Sequence, residues 1–206
     1  EVLQISYDTH GSSLAERLPK YAPTIAKWSS GLLAPIVNKI QQTNFFKNIL
    51  SNYGGIHSQR NLPTYSNQKL TAWYHQQEKF QSDQKVVLFA DTYINHHEIQ
   101  LGKHAIQLLN DCGYEVILAE VGCCQRPLIS NGFLKEAKVA GTKTAQGLEE
   151  YLKAGIPILV LEPSCFSALS EDLPDLMDDA ELAKLMNQGV FQMEDFLTQQ
   201  WVAGKL

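Results

Sequence analysis

The chain has 206 residues, which is enough for one α/β domain with an additional segment and too few for a multidomain enzyme. Its 17 Lys and Arg residues against 22 Asp and Glu residues give a formal net charge of -5, with no run of basic residues, so we expect no nucleic-acid partner. Because 44% of the residues are hydrophobic and 19% are charged, and because no stretch approaches the roughly 18 apolar residues of a membrane span, we expect a folded, soluble protein.

The N-terminus and the cysteines indicate the setting in which the chain works. It begins at Glu1 without an initiator Met and without a basic or apolar leader segment, so we interpret it as a fragment of a longer protein. Its four cysteines all lie in the second half and are far sparser than in small disulfide-bonded domains. We therefore expect a reducing compartment, in which the thiols are available for metal or redox chemistry.

Short helices and a connector are predicted for the first part of the chain. Apolar residues recur at helical spacing in residues 12–53, and this pattern is interrupted by Pro19, Pro23 and Pro35. Residues 54–84 are rich in Asn, Gln and Ser, which is typical of a connector or of an extended strap laid over a main domain. Residues 1–84 are thus expected to form a helical segment and a connector.

The second part of the chain contains three short apolar runs that predict buried strands. They lie at residues 86–90, 115–118 and 157–161. Continuous apolar runs are typical of parallel strands, which are buried on both faces. The intervening segments are long enough for right-handed crossover helices, so the pattern predicts a βαβαβ unit with a parallel sheet.

Helices are predicted between and after these strands. Asn95 and Glu98 have the spacing of a capping box at the start of the first helix, and a long second helix is predicted over residues 134–155. Residues 178–200 are expected to be helical throughout. The fold class is therefore α/β: a short parallel sheet with flanking helices, preceded by a helical N-terminal segment and followed by C-terminal helices, with residues 85–206 as a cysteine-rich α/β domain.

Three of the four cysteines fall in loops that follow the predicted strands. Cys123 and Cys124 come after the second strand and Cys165 comes after the third, 42 positions beyond Cys123. In open parallel sheets, ligands bind outside the carboxyl ends of the strands. Thiolates are the soft ligands that iron–sulfur clusters and zinc select. We therefore predict that Cys123, Cys124 and Cys165 meet at one edge of the sheet and bind a metal or cluster there.

Other interpretations of these cysteines remain open. Zinc is disfavoured because no Cys-x-x-Cys pair exists, the residue three positions after Cys165 being Ala168. A nucleophilic Cys124 or Cys165 would need a base, for which His96 or His97 is the nearest candidate. Adjacent buried cysteines without any function are the third possibility.

Four motifs, in order along the chain, resemble the cysteine-rich (CCG) domain of iron–sulfur oxidoreductases. They lie at residues 87–93, 113–116, 123–132 and 161–165. The resemblance covers about residues 85–176, and residues 12–60 resemble the Pro-interrupted helical segment that precedes this domain. The most similar members carry the domain after a flavin-linked module and a ferredoxin-like module, as in FAD-dependent dehydrogenases of lactate, glycolate or hydroxyglutarate.

The resemblance implies electron transfer from a flavin through iron–sulfur centres to an acceptor. The paired cysteines of the family correspond to Cys123 and Cys124, and the downstream cysteine corresponds to Cys165. Where the family usually has a glycine after the pair, this chain has Gln125, and Thr92 and Ala168 stand where further cysteines often occur. A cluster of the 4Fe-4S type needs about four thiolates, so the site in this chain is expected to be incomplete.

Several other residues have ordinary structural interpretations. Cys112 is expected to be a buried thiol on the opposite side of the sheet. Arg126 could offset the charge of a cluster or form a surface ion pair. Asp91 and Glu162 follow strands and are expected to cap helices rather than to act as acid and base. No Gly-rich phosphate loop follows the first strand, so neither FAD nor NAD is expected to bind to this chain. FAD in the parent protein is what the resemblance implies.

We therefore expect an electron-transfer module of an FAD-linked oxidoreductase that acts on a 2-hydroxy acid or a similar CH–OH substrate, not catalytically competent by itself and without catalytic residues of its own. Its partners would be the flavin and ferredoxin-like modules of the same chain and a second cysteine-rich repeat downstream. The alternatives are a docking domain that has lost its cluster and a small thiol enzyme. A cytoplasmic location is expected, with the inner face of the membrane as the alternative.

Overall fold

A parallel sheet of four strands forms the centre of the protein in the computed structural model, which describes residues 1–206. The strands, in chain order, are β1 (Lys85–Phe89), β2 (Glu115–Ala119), β3 (Ile158–Val160) and β4 (Val190–Gln192). Their order across the sheet is β2-β1-β3-β4, and every neighbouring pair is parallel. The predicted parallel sheet and its three buried strands are thus confirmed.

Fourteen α-helices surround and precede this sheet. Those before β1 are α1 (Val2–His10), α2 (Leu14–Arg17), α3 (Ala22–Ser29), α4 (Ala34–Gln41), α5 (Asn44–Gly54) and α6 (Leu70–Tyr74). Those between the strands are α7 (Thr92–His96), α8 (Ile99–Asp111), α9 (Arg126–Ser130), α10 (Leu134–Lys153), α11 (Pro163–Ser167), α12 (Leu173–Leu176) and α13 (Ala180–Gly189), and α14 (Met193–Val202) follows β4. Two 3-10 turns (Leu18–Tyr21, Gly31–Leu33) and a π-helical turn (Ala168–Asp172) join some of them.

Alternation along β1 divides the core into two layers, one on each face of the sheet. Val86 and Leu88 point to one face, where α6, α8 and α14 pack. Val87 and Phe89 point to the other, where α10, α11 and α13 pack. These four of the five β1 side chains are fully buried, as expected for a central parallel strand, and Lys85 at its start is exposed.

The structure corrects two details of the predicted helices. Asn95 does not cap α8; it lies inside the short helix α7, which is capped by Asp91. The side chain of Asn95 accepts a hydrogen bond from the Thr71 backbone N–H, so its capacity to cap is used elsewhere. The C-terminal region is also not helical throughout, because Val190–Gln192 forms the edge strand β4.

The N-terminal part has the short, Pro-interrupted helices that the sequence predicts, with one addition. Residues 2–10 form the helix α1, although no apolar periodicity indicated it. Within the connector, α6 buries Leu70 and Tyr74 against the sheet's first core layer. No helix has both the length and the apolar character needed to cross a lipid bilayer.

Candidate functional site

The strand order brings the two cysteine-bearing loops together. Since β2 and β3 flank β1, the loops that leave their carboxyl ends converge over the end of β1. Cys124 Sγ donates a hydrogen bond to Cys165 Sγ at 2.8 Å, although the two residues are 41 positions apart. Cys124 and Cys165 are buried, and Cys123 packs against the same core layer. All three predicted thiols therefore lie together on one face of the sheet.

An unusual backbone turn shapes the loop that carries Cys123 and Cys124. Gln125 is the single non-glycine residue with a positive φ, at φ 63° and ψ 11°. This left-handed conformation favours glycine, which is the residue that the resembling family usually has at this position. The Gln125 side chain offsets part of the strain, because its Nε2 donates to the Cys123 carbonyl at 2.7 Å.

Arg126 joins the two cysteine loops. Its Nε donates to the Ser164 carbonyl at 3.0 Å, next to Cys165. Its terminal nitrogen donates to Ser167 Oγ and to Asp172 Oδ2, each at 2.6 Å. Of the two alternatives that the sequence left open, the structure places this guanidinium in an ion pair, and that ion pair holds the Cys123–Cys124 loop against α11.

Thr144 holds the same loop from the other side. Its hydroxyl donates to the Cys123 carbonyl at 3.0 Å from within the long helix α10. Thr144 is nearly fully buried, so this hydrogen bond is protected from water. No sequence pattern indicated this contact, because a threonine in a helix commonly bonds only to its own backbone.

Hydrogen bonding and burial favour the protonated form of Cys123 and of Cys124. The hydrogen bond with Cys124 raises the pKa of Cys123 well above its usual range, and burial raises it further. For Cys124, the hydrogen bond with Cys123 lowers the pKa, but the hydrogen bond with Cys165 and burial outweigh it and raise the value to about 12. A bound cation or cluster would have to displace these protons, since thiolates are the ligating form.

The three thiols are the type of ligand that a thiophilic cofactor needs, but they are too few to complete its ligand set. Three soft sulfur donors at one point are the chemistry that iron–sulfur clusters and zinc select. As the side chains lie here, no three His, Cys, Asp or Glu groups are arranged to hold one metal ion. The residues thus fit as a partial ligand set, which further ligands must complete.

Asp91 lies at the carboxyl end of β1, beneath this site. Its Oδ1 accepts from the backbone N–H groups of Tyr93 and Ile94, at 2.7 and 3.1 Å. Its Oδ2 is buried and has no hydrogen-bond partner. Burial, together with the charge of Glu162, raises the pKa of Asp91 to about 6, although the N–H groups of Ile94 and Tyr93 favour the carboxylate. The predicted capping role is thus present for Asp91. Glu162 stands at the N-cap position of α11, but its side chain forms no capping hydrogen bond and accepts one from Ser164 Oγ instead.

The histidines that could have served as a base have other partners. His96 Nδ1 lies 2.7 Å from Ser30 Oγ, and His97 Nδ1 lies 2.9 Å from the Thr64 carbonyl. Cys112 packs against the opposite core layer, as the sequence predicted, but it is only partly buried. The geometry thus provides neither a cysteine–histidine pair nor a fourth thiol at the site.

Comparisons with known proteins relate this chain to a dehydrogenase. It is 30% identical over 176 residues to one of the subunits of the anaerobic glycerol-3-phosphate dehydrogenase, in two Escherichia coli strains, and the match covers 84% of this chain and 44% of the relative. The chain is therefore homologous to this subunit and spans less than half of its length. No protein-family model matches the chain. No solved structure matches it either.

Proposed function

We propose that this chain is an electron-transfer module of an oxidoreductase and that Cys123, Cys124 and Cys165 hold part of an iron–sulfur cluster. One observation carries the proposal: thiols from two distant loops meet at the carboxyl edge of a parallel sheet, with Cys124 and Cys165 in direct contact. Homology to a dehydrogenase subunit supports it, because a dehydrogenase must pass the electrons of its substrate to an acceptor.

The residues of the chain would have distinct tasks in such a module. The three cysteines would bind iron as thiolates, and Arg126 and Thr144 would keep the two loops at a fixed separation. The surrounding core layer excludes water from the buried sulfurs, which lowers the local dielectric constant. When bound, an iron–sulfur cluster supplies one-electron redox chemistry.

The rest of the proposal concerns the parent protein. Glycerol 3-phosphate, named for the relative, and the 2-hydroxy acids of the resembling family all carry a CH–OH group that loses two electrons on oxidation. We propose that the parent enzyme oxidises such a group at a flavin, and that ferredoxin-like modules and a second cysteine-rich repeat complete the chain of carriers and the ligand set. A 4Fe-4S cluster and a cytoplasmic location, with the inner membrane face as the alternative, belong to the same proposal.

Reversible reduction after reconstitution tests the electron-transfer role. The protein is incubated anaerobically with ferrous iron, sulfide and a small external thiol, which can occupy the coordination positions that the three cysteines leave open. It is then freed of unbound iron and reduced with dithionite. We expect a brown protein whose broad visible absorption bleaches on reduction and returns on oxidation, since a ligated cluster cycles between two oxidation states. A brown protein whose spectrum does not respond to reductant would contradict the proposal.

A docking role without a cluster is the second candidate, and one observation favours it. Ala168, at the position where the family often has a further cysteine, is fully buried in the π-helical turn beside α11. An apolar side chain thus fills the place of a possible fourth ligand. Under this alternative, the reconstituted protein stays colourless and metal-free, and the three thiols serve only to pack the core.

A further inference from the structure

An open cavity of about 330 Å³ has Cys123, but neither Cys124 nor Cys165, in its wall. Its walls come from α3, from α6, from α7 after β1, and from the loop after β2. Ten of its twelve lining residues are not hydrophobic. This size lies at the lower end of the range for small-molecule sites, so the cavity suits a small, polar ligand.

Two lysines give this cavity a positive charge. Lys27 of α3 and Lys69, which precedes α6, both line it, and neither forms an ion pair with a carboxylate. The one acidic residue on the lining, Glu120, is exposed, and its carboxylate is 2.6 Å from His75 Nε2. The lining therefore carries two ammonium groups against one carboxylate, so a positive charge remains at the cavity.

The sequence around the two lysines adds to the positive electrostatic potential at the cavity. Between Arg17 and Gln77 the chain has seven Lys and Arg residues and no Asp or Glu, whereas its net charge overall is -5. Burial is the main cause that lowers the pKa of His96 to about 4. The charges of Lys69 and Lys27 also contribute to this lowering. The His96 ring is thus neutral and adds no positive charge to that of the lysines. Its Nδ1 is hydrogen-bonded to Ser30 Oγ.

Neutral hydrogen-bond donors complete the cavity. Asn95 Oδ1 accepts from the Thr71 backbone N–H at 3.1 Å, which leaves the Asn95 amide nitrogen to donate. The hydroxyl-bearing side chains of Thr24, Thr71 and Thr92 also line the cavity. Two ammonium groups with surrounding amide and hydroxyl donors form a set suited to an oxyanion.

We propose that this cavity binds the phosphate or carboxylate group of a small soluble molecule, next to Cys123. The two lysines supply the charge and Asn95 supplies an oriented donor. The cavity shares Cys123 with the three-thiol set, but anion binding there needs no bound iron. The proposal therefore goes beyond the electron-transfer proposal and can be tested independently of it.

A titration of the metal-free protein tests the proposal directly. Backbone amide resonances are followed by two-dimensional NMR while sodium phosphate, sodium malonate or sodium chloride is added at constant ionic strength. We expect saturable shifts at Thr71, Asn95 and Gly122 with phosphate, with malonate, or with both, and none with chloride. Phosphate alone would identify a phosphate site, malonate alone a carboxylate site, and both a general oxyanion site.

Matched variants show whether the cavity itself binds the anion. Lys69→Met and Lys27→Met are each expected to weaken binding about tenfold, because each removes one charged contact to the anion. Lys69→Arg should retain binding. Lys39→Met removes a lysine of α4, in the same acid-free stretch but outside the cavity, and should bind as the wild type does. Amide shifts of β1 report whether each variant is folded.

Two results would overturn the proposal. One is the absence of saturable shifts with both oxyanions in the folded wild-type protein. The other is an equal loss of affinity in Lys39→Met and Lys69→Met, which would show that the anion responds to the general field of the acid-free stretch and not to the cavity. Failure of iron reconstitution would leave the proposal unaffected, since the titration uses metal-free protein.

Discussion

Asp91 is the most tightly constrained polar residue near the thiol site. One carboxylate oxygen caps α7, and the other is buried at the carboxyl end of β1 without a partner. Leaving a carboxylate oxygen unpaired in the interior disfavours the charged form. The raised pKa of Asp91, about 6, follows from this burial and from the nearby charge of Glu162.

The folded protein should therefore lose stability as Asp91 ionises. Because its folded pKa lies above its unfolded pKa, the stabilisation is complete below about pH 4 and is lost as the pH rises through about 6. The loss is on the order of 2–3 kcal/mol.

Urea unfolding of the wild type and of Asp91→Asn measures this loss of stability. We expect the variant to gain stability relative to the wild type between pH 4 and 7, since asparagine can cap α7 but cannot ionise. A stability difference that does not change with pH would show that Asp91 keeps its ordinary pKa.

Single residues were predicted from the sequence to different degrees. The three thiols were placed at one edge because each follows a predicted strand, and parallel strands have their carboxyl ends on one side. The left-handed backbone at Gln125 could not be predicted from the residue itself, since glutamine rarely adopts it. The partners of Arg126 could not be predicted either, because Asp172 and Ser167 reach it through tertiary packing.

Among the secondary-structure elements, the contact between the β2–α9 loop and α11 determines the geometry of the site. Arg126 is the first residue of α9, and its guanidinium bonds to Ser164 and Ser167 of α11. These bonds hold Cys124 and Cys165 in contact, because each of the two cysteines lies within two residues of a bonded residue. A lysine could not form the same three hydrogen bonds, because its single ammonium group does not present donors in the planar geometry of a guanidinium.

Arg126→Met should therefore loosen the cysteine loops. We expect the free energy of unfolding to fall by about 1–2 kcal/mol, a value kept modest because the ion pair is partly exposed. Native-state labelling by a thiol reagent should become faster at Cys124 and Cys165 and stay unchanged at Cys112, which lies on the other face. Peptide mass spectrometry separates the three rates.

A matched control distinguishes this from a general loss of surface charge. Lys138→Met removes an ion pair of the same length, 2.6 Å to Asp178, that does not join the two loops. It should leave the labelling rates unchanged. Equal acceleration in both variants, or at all cysteines in Arg126→Met, would mean that the guanidinium does not hold the loops together.

The elements differ in how far their sequence predicts them. The strands β1, β2 and β3 were predicted within two residues, because each is a continuous apolar run. β4 was missed, since three residues between two helices carry too little pattern to separate a strand from a helix. Helix α7 was not predicted as a separate helix, although Asp91 was expected to cap one, because α7 has only five residues and the first helix was expected to begin at Asn95.

For the molecule as a whole, the candidate site results from the order of the strands in the sheet. The order β2-β1-β3-β4 places the loops after β2 and β3 on either side of β1, so residues 41 positions apart can meet. The βαβαβ pattern predicted a parallel sheet with the cysteine-bearing loops at one edge, but it did not predict the order of the strands. The division of the chain at residues 84 and 85 stays a prediction, as does the role of the thiols as ligands.

The retention of iron by matched cysteine variants is the sharpest test of that ligand role. The proteins are incubated anaerobically with ferrous iron, sulfide and a small external thiol, and unbound metal is removed. Iron and acid-labile sulfide are then measured per chain in the wild type, Cys124→Ser and Cys112→Ser. We predict that Cys112→Ser retains as much iron as the wild type, because its thiol lies on the opposite face of the sheet, and that Cys124→Ser loses most of it. Equal iron retention in Cys124→Ser and in the wild type would show that the three thiols do not hold the cluster.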